Sequence, residues 1–432
     1  MIVTLLFVVF VLLMIIGVPV GVSLGVAGTL AIVMSNLDTQ WFGLLAVPQN
    51  FYAGLAKYPL LAIPMFVLVG SIFDRSGVAS RLVNFAISIV GRGPGMLPLV
   101  AIAVAMFLGG ISGSGPACAA AVGAVMISAM NRAGYPKPFS ASIVAAGAST
   151  DILIPPSIAF IVYSILVPQA SVPALFAAGM IPGILAGIAL IIPAVWLSRR
   201  HNMGMLESKL PRPAFWPSLL AATWGLIAPV LILGGMRLGW FTPTEAAVVA
   251  VFYGLFVGMF IHRTIKVRDL FIILREAAEL SAVIMLVVTL AGIFAWALST
   301  LSVIDPITNA IVNSGLGEYG VLSLLVLLLM TLGMFLDGIS IFLIFVPLLM
   351  PIANAYQWDP VWFGVLLTLK VALGQFTPPL AVNLMVSCRI AKVPMESTVR
   401  WVVWLLASMF LVLVLVIVFP ELALWLPRYL GY

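Results

Sequence analysis

Three ionisable side chains stand inside stretches that are otherwise hydrocarbon. Asp151 lies four residues before a double proline in "ASTDILIPPSI" (148–158), Lys370 lies within "GVLLTLKVALGQFTPPLA" (364–381), and Asp337 sits in "MFLDGIS" (334–340). A charged group at the centre of an apolar helix costs about 2.5–3.5 kcal/mol on insertion scales, and each Pro-Pro stops a regular helix from running through. Groups tolerated at that cost point to ions or polar solutes crossing an apolar layer. Catalysis would need other patterns: clustered acids for a metal, a nucleophile with a base, or a basic phosphate pocket. The intramembrane acids fall in separate halves and no histidine accompanies them, which argues against an integral-membrane enzyme. "GISGSG" (110–115) superficially resembles a nucleotide loop, but no strand precedes it and no Lys follows. Without a P-loop, an ATP-driven pump would need another subunit. Cys118 and Cys388 belong to no C-x-x-C spacing and read as packing residues. His201 and His262 fall in charged loops and are expected to face water.

The elements that position these groups follow from composition. The 432 residues are 63% hydrophobic and 8% charged, against about 25% charged in soluble domains. Apolar stretches long enough to cross a ~30 Å layer recur from end to end. The chain therefore reads as an all-α polytopic membrane protein with about eleven spans. The first stretch, Ile2 to Ile16, lacks a basic leader and is kept as a span. With the N-terminus outside, sixteen of the 20 Lys and Arg residues fall inside. Only Lys57, Arg237 and Arg428 fall outside, and Lys370 within a span, a strong positive-inside bias with both termini periplasmic.

The same order of features occurs twice. The spacing predicts a first repeat over 1–200, a cytoplasmic linker over 201–212, and a second, inverted repeat over 213–432. Each repeat has a re-entrant helical hairpin (about 95–130 and 321–352) followed by a Pro-Pro-broken helix (about 138–166 and 361–387). Aligning the proline pairs sets Asp151 opposite Gly374, and Gly147 opposite Lys370. Non-helical backbone at membrane depth is tolerated only where protein buries it or it lines a cavity. Paired interrupted segments in two halves are the sequence pointer to a transporter site. A channel fits less well, because no continuous polar stripe runs along the spans.

The ordered set "GGISGSGPA", "ILIPPSI", "AAGMIPGILAG", "FTPTEAA", "GMFLDG", "LGQFTPPLAVNL" and "PELALWLP" resembles the large membrane subunit (M, DctM-like) of the TRAP transporters, the tripartite ATP-independent periplasmic carriers. The resemblance covers essentially the whole chain. It implies a secondary, elevator-type importer of small mono- or dicarboxylates such as C4-dicarboxylates in a bacterial inner membrane. The driving force would be Na⁺, with H⁺ as the alternative, and no other cofactor is expected. The implied partners are a small four-helix membrane (Q) subunit and a periplasmic substrate-binding (P) protein, with no nucleic acid. A stand-alone carboxylate symporter is the rival reading. Carried over by position, one Na⁺ site uses Ser112, Ser114, Asp151, Ile154 and Pro156. A second uses Asp337, Gly338, Gly374, Thr377 and Leu380, with the substrate between the two tips. Arg389 is a candidate contact for the substrate carboxylate.

Two positions depart from the family pattern, which usually has glycine where Asp151 stands and asparagine where Lys370 stands. Asp151 and Lys370 are expected to form a buried ion pair, with the ammonium taking over part of one sodium's role. In a second reading Asp151 ligates Na⁺ and Lys370 meets the substrate. In a third, Lys370 snorkels to an interface and Asp151 caps a half-helix. Glu245 in "FTPTEAA" is expected to cap a helix, and the aromatics of "WDPVWFG" and "WLPRY" to sit in an outer interfacial belt.

Overall fold

The computed structural model describes residues 2–36, 40–91, 93–209, 211–334, 336 and 338–432, and regular structure among them is helical throughout. The first half contains α1 (Ile2–Ile15), α2 (Val20–Ser35), α3 (Gln40–Leu55), α4 (Ala62–Arg75) and α5 (Val78–Ile89). A hairpin follows, α6 (Met96–Ser112) and α7 (Gly115–Arg132), then a broken span, α8 (Lys137–Ser149) and α9 (Ile158–Leu166), and the long α10 (Val172–Arg200). The second half begins with α11 (Phe215–Arg237), α12 (Pro243–Phe256), α13 (Val267–Thr300) and α14 (Ile304–Val312). Its hairpin is α15 (Gly317–Gly333) and α16 (Gly338–Ala355), its broken span α17 (Pro360–Gly374) and α18 (Val382–Ala391), and α19 (Val399–Val418) and α20 (Glu421–Leu430) close the chain. Among the described residues, seven helical stretches are long and apolar enough to cross a membrane alone. Shorter apolar helices include one arm of each hairpin and both halves of the second broken span.

Small residues decide which helices approach closely. On α2, Gly21, Gly25 and Gly28 face α13: a Cβ at Gly21 would lie 2.8 Å from Val287, and one at Gly28 3.0 Å from the Phe294 backbone. On α7, a Cβ at Gly115 would lie 2.8 Å from Asn383 of α18, and one at Gly123 3.0 Å from Ile390. Such stripes let backbones pack without a hydrophobic driving force between helices, as membrane helices require. The first stripe builds a group in which α13 packs against α2, α3 and α4; the second joins the first hairpin to the second broken span.

The linker between the halves is not a free loop. The buried hydroxyl of Tyr135 donates to Glu207 Oε2 (2.7 Å) and accepts the Gly95 N–H (2.7 Å), while the Leu206 N–H donates to the Ala133 carbonyl (3.2 Å). Burial pushes the Glu207 carboxyl above its ordinary value, and the hydrogen bond from Tyr135 pulls it partly back. The linker thus straps the base of the first hairpin. Tyr135→Phe leaves two buried groups without that partner, at an expected cost of about 1–3 kcal/mol. A fall in thermal midpoint with the oligomeric state intact checks it; an unchanged midpoint would mean the strap carries no load.

Thr242 and Glu245 form the expected capping box, Thr242 N–H donating to Glu245 Oε2 (2.8 Å) and Glu245 N–H to Thr242 Oγ1 (3.3 Å). Both cysteines are free and buried. His201 is exposed, but His262 is half-buried with Nδ1 2.9 Å from the Ser76 carbonyl, so it anchors a helix end and does not simply face water. The expected aromatic belt also divides. Trp425 and Tyr429 are exposed, whereas Trp358 and Trp362 are buried and hydrogen-bonded to Glu318 Oε1 (2.8 Å) and the Val416 carbonyl (2.9 Å). Their N–H groups have partners inside, which lets the rings pack as core.

Candidate functional site

The first tip is made by sequence that cannot stay helical. Gly113 closes α6 at φ +60, the left-handed region a glycine occupies without strain, and Ser114 is extended before Gly115-Pro116 opens α7. Behind it, Ser149 and Thr150 turn their hydroxyls back to the Ala146 and Gly147 carbonyls (both 2.7 Å), and a short turn over Thr150–Ile152 carries Asp151. Ser157 then caps α9, its Oγ accepting from the Phe160 N–H (3.4 Å) and donating to the Ile152 carbonyl (2.5 Å). The second break is built alike. The Thr377 hydroxyl donates to the Leu373 carbonyl (2.6 Å), and the Asn383 N–H closes the turn onto the Gln375 carbonyl (3.1 Å). Pro155–Pro156 and Pro378–Pro379 are both cis.

Each tip is pressed against its own break at matched positions. A Cβ at Gly109 would lie 2.5 Å from the Asp151 Cα, and one at Gly374 2.7 Å from the Gly333 carbonyl oxygen. The carbonyls of Pro155 and Pro156 turn toward Gly110 and Gly113, 3.2 and 2.8 Å from where a Cβ would stand. The tips also meet the opposite half: Gly115 lies under Gln375 and Asn383, whose amides are joined at 3.0 Å. Both tips and both breaks converge on a cavity of about 320 Å³, within the range of small-molecule sites. Its far wall is apolar, Leu280, Val283, Ile284 and Val287 of α13.

Of the expected site residues, Ser114, Gly338, Gly374 and Leu380 line this cavity. Asp151 is fully buried just behind it, with Ile154 and Pro156 in the break. Thr377 is buried in the break with its hydroxyl spent on the Leu373 carbonyl at the end of α17. Ser112 ends α6, and its side chain, like the whole of Asp337, lies outside the described residues. Arg389 is exposed in the last turn of α18 and does not line the cavity. Lys370 is 2% exposed, also off the cavity, and its Nζ makes no hydrogen bond or ion pair among the described residues. The expected Asp151–Lys370 pair is therefore not formed in this arrangement, although α17 packs on the turn that carries Asp151. The proline alignment sets Asp151 opposite Gly374, and Lys370 precedes Gly374 by one turn of α17, about 6 Å along its axis.

Sequence reading missed Ser340, Gln375 and the α13 wall, which line the cavity, and Asn383 beside it. The amides were signalled: Gln375 follows the break glycine, and Asn383 interrupts an apolar half-helix. Hard cations such as sodium take oxygen ligands, often from unwound backbone in broken helices. The donors here fit one. Asn383 Oδ1 is buried at the first tip with no hydrogen-bond donor among the described residues, and Ser114 stands beside it on the cavity wall. Among the described residues no cluster of three His, Cys, Asp or Glu exists for a transition metal.

Inverted halves with two tips and two broken helices around one cavity define a two-repeat membrane carrier. Residues 7–422 match the family model described as "Tripartite ATP-independent periplasmic transporter, DctM component", and the chain belongs to that family. The Vibrio cholerae "Sialic acid TRAP transporter large permease protein SiaM" is 35% identical over 417 residues, 96% of each chain. The Pseudomonas aeruginosa "C4-dicarboxylate TRAP transporter large permease protein DctM" is 35% identical over 409 residues, 95% of this chain and 94% of that one. The "Isethionate TRAP transporter permease protein DctMQ" of Oleidesulfovibrio alaskensis is 34% identical over 417 residues, and the match spans 65% of its length. The crystal structure of the Alcanivorax borkumensis YdaH transporter shares the fold, with a TM-score of 0.59 over 90% of each chain at 14% identity. These relatives are transporter permeases, not enzymes.

Proposed function

We propose that the chain is the membrane permease of a Na⁺-driven importer of small organic acids, receiving its substrate from a periplasmic binding protein and braced by a small four-helix membrane subunit. The observation that carries this reading is the convergence of four helix starts, at Gly115, Ile158, Gly338 and Val382, on the cavity between the tips. Helix N-termini offer free N–H groups and positive dipole ends, which suit a carboxylate. The carbonyls at the same breaks suit Na⁺. The relatives named for isethionate, sialic acid and C4-dicarboxylates are about equally similar to this chain, so identity alone selects none of them. What those substrates share is an anionic acid group. Among the described residues lining the cavity the side chains that hydrogen-bond are Ser114, Ser340 and Gln375, and none is charged. A compact acid with an apolar skeleton suits those walls better than a polyhydroxylated one.

The elevator is supported by the apolar α13 wall, against which the tips could slide without breaking hydrogen bonds. The bias of the basic residues supports a periplasmic side for both termini. The test is uptake of radiolabelled acids into proteoliposomes carrying the permease and its small subunit, with and without the binding protein, under Na⁺, K⁺ or H⁺ gradients. Uptake requiring both the binding protein and Na⁺ is expected. Uptake without the binding protein would establish the stand-alone symporter instead, and uptake on a proton gradient alone would overturn the sodium reading.

A further inference from the structure

α10 and α19 are neighbours, and each carries an exposed stripe at helical spacing. On α10 the stripe runs Ile184, Ile188, Ile192, Trp196, Arg200; on α19 it runs in the opposite sense, Arg400, Trp404, Leu411. Each thus passes from membrane-facing hydrocarbon through a tryptophan to an arginine one turn further on. The two tryptophans meet with ring centroids 5.2 Å apart. The Arg200 guanidinium lies 4.9 Å over the Trp196 ring, and that of Arg400 4.3 Å over Trp401. Two cavities flank the tryptophan pair. One, about 370 Å³, includes His201 and Arg400; the other, about 630 Å³, includes Ile192, Arg199 and Arg200. Among the described residues no acidic side chain lines either cavity and no salt bridge involves these arginines.

We propose that this double cleft binds an anionic phospholipid of the leaflet on the basic side, its phosphate between Arg200 and Arg400 and its acyl chains along the two apolar stripes. Three features converge on that occupant. Planar guanidinium groups already stacked on rings are pre-oriented for a phosphodiester. Tryptophans at the border of apolar surface mark headgroup depth. The cleft is also continuous with exposed isoleucine and leucine surface, which a soluble phosphate would leave bare. Ordinary positive-inside arginines explain the charge, but not two guanidinium groups stacked on tryptophans, Arg200 on Trp196 and Arg400 on Trp401, beside the Trp196–Trp404 pair.

The experiment titrates the delipidated permease, with its small subunit, with phosphatidylglycerol, cardiolipin or phosphatidylethanolamine and counts bound lipid by native mass spectrometry. Retention of the two anionic lipids over phosphatidylethanolamine is expected. Each basic residue near an anionic surface contributes about fivefold in affinity, so Arg200→Gln with Arg400→Gln should weaken anionic-lipid binding about thirtyfold. Arg263→Gln with Arg268→Gln removes the same charge from elsewhere on the basic face and should leave it unchanged. Should the first pair fold poorly by thermal midpoint, Arg200→Lys with Arg400→Lys keeps the charge, loses the stacked fork, and should still bind several-fold more weakly. Equal retention of phosphatidylethanolamine, equal loss in the control pair, or undiminished binding in both cleft pairs overturns the site.

Discussion

Gly374→Ala should abolish transport and lower the thermal midpoint, whereas Gly333→Ala, across the same contact, should leave both near the parent values. The asymmetry comes from where each new methyl points. A Cβ at Gly374 would stand 2.7 Å from the Gly333 carbonyl oxygen and 3.1 Å from its Cα, all backbone, so no rotamer change can relieve it. A Cβ at Gly333 meets the Gly374 Cα at 3.5 Å, an ordinary contact. Overpacking of this kind costs about 1–3 kcal/mol. The functional loss should be larger than that figure alone implies, because the contact holds the second tip on its break and thereby shapes the cavity. Gly109→Ala should behave like Gly374→Ala, its Cβ falling 2.5 Å from the Asp151 Cα. Proteoliposome uptake and midpoint, measured on the three variants together, decide the matter. Normal uptake by Gly374→Ala would mean that tip and break need not touch during transport.

That contact also marks what the sequence could and could not disclose. The hairpins and breaks were legible because each rests on local chemistry: Gly-Ser runs end helices, and Pro-Pro pairs stop them, whatever the tertiary surroundings. The pairing of Asp151 with the level of Gly374 followed from aligning the prolines. The partner glycines did not, because nothing in "FLGGIS" or "TLGMF" says which helix approaches. The α13 wall was invisible for a different reason. An apolar membrane helix facing lipid and one facing a cavity have the same composition. Likewise Tyr135 and Glu207 lie 72 residues apart, and only the fold shows that the linker returns to the hairpin base. The ion pair is not formed, and the alignment itself stood against it. Level can be read from an alignment, but the proline alignment that set Asp151 opposite Gly374 already placed Lys370 a turn away, and the direction of its ammonium could not be read at all.

Lys370 is therefore the group whose replacement should change the response to sodium most. Our reading is that its buried ammonium stands in for part of one sodium's charge near the second break. A ligand that binds only the folded state stabilises it by RT ln(1 + [L]/Kd), so well above Kd each tenfold rise in concentration adds about 1.4 kcal/mol per site. The slope of stability against log sodium concentration thus counts sites. With choline holding ionic strength constant, the parent protein should rise with the slope of one site and Lys370→Asn with about twice that slope. Lys370→Met removes the charge without supplying an oxygen. It should gain stability in the absence of sodium, since a buried ammonium without a partner among the described residues is replaced by hydrocarbon of similar length. It should not gain the second slope. Equal slopes in the parent and Lys370→Asn would show that the lysine displaces no ion. A double slope in Lys370→Met as well would show that the charge merely repelled an ion bound elsewhere. If the parent shows no sodium response while Lys370→Asn gains a single slope, the lysine blocks the only working sodium site, and coupling must be sought in protons.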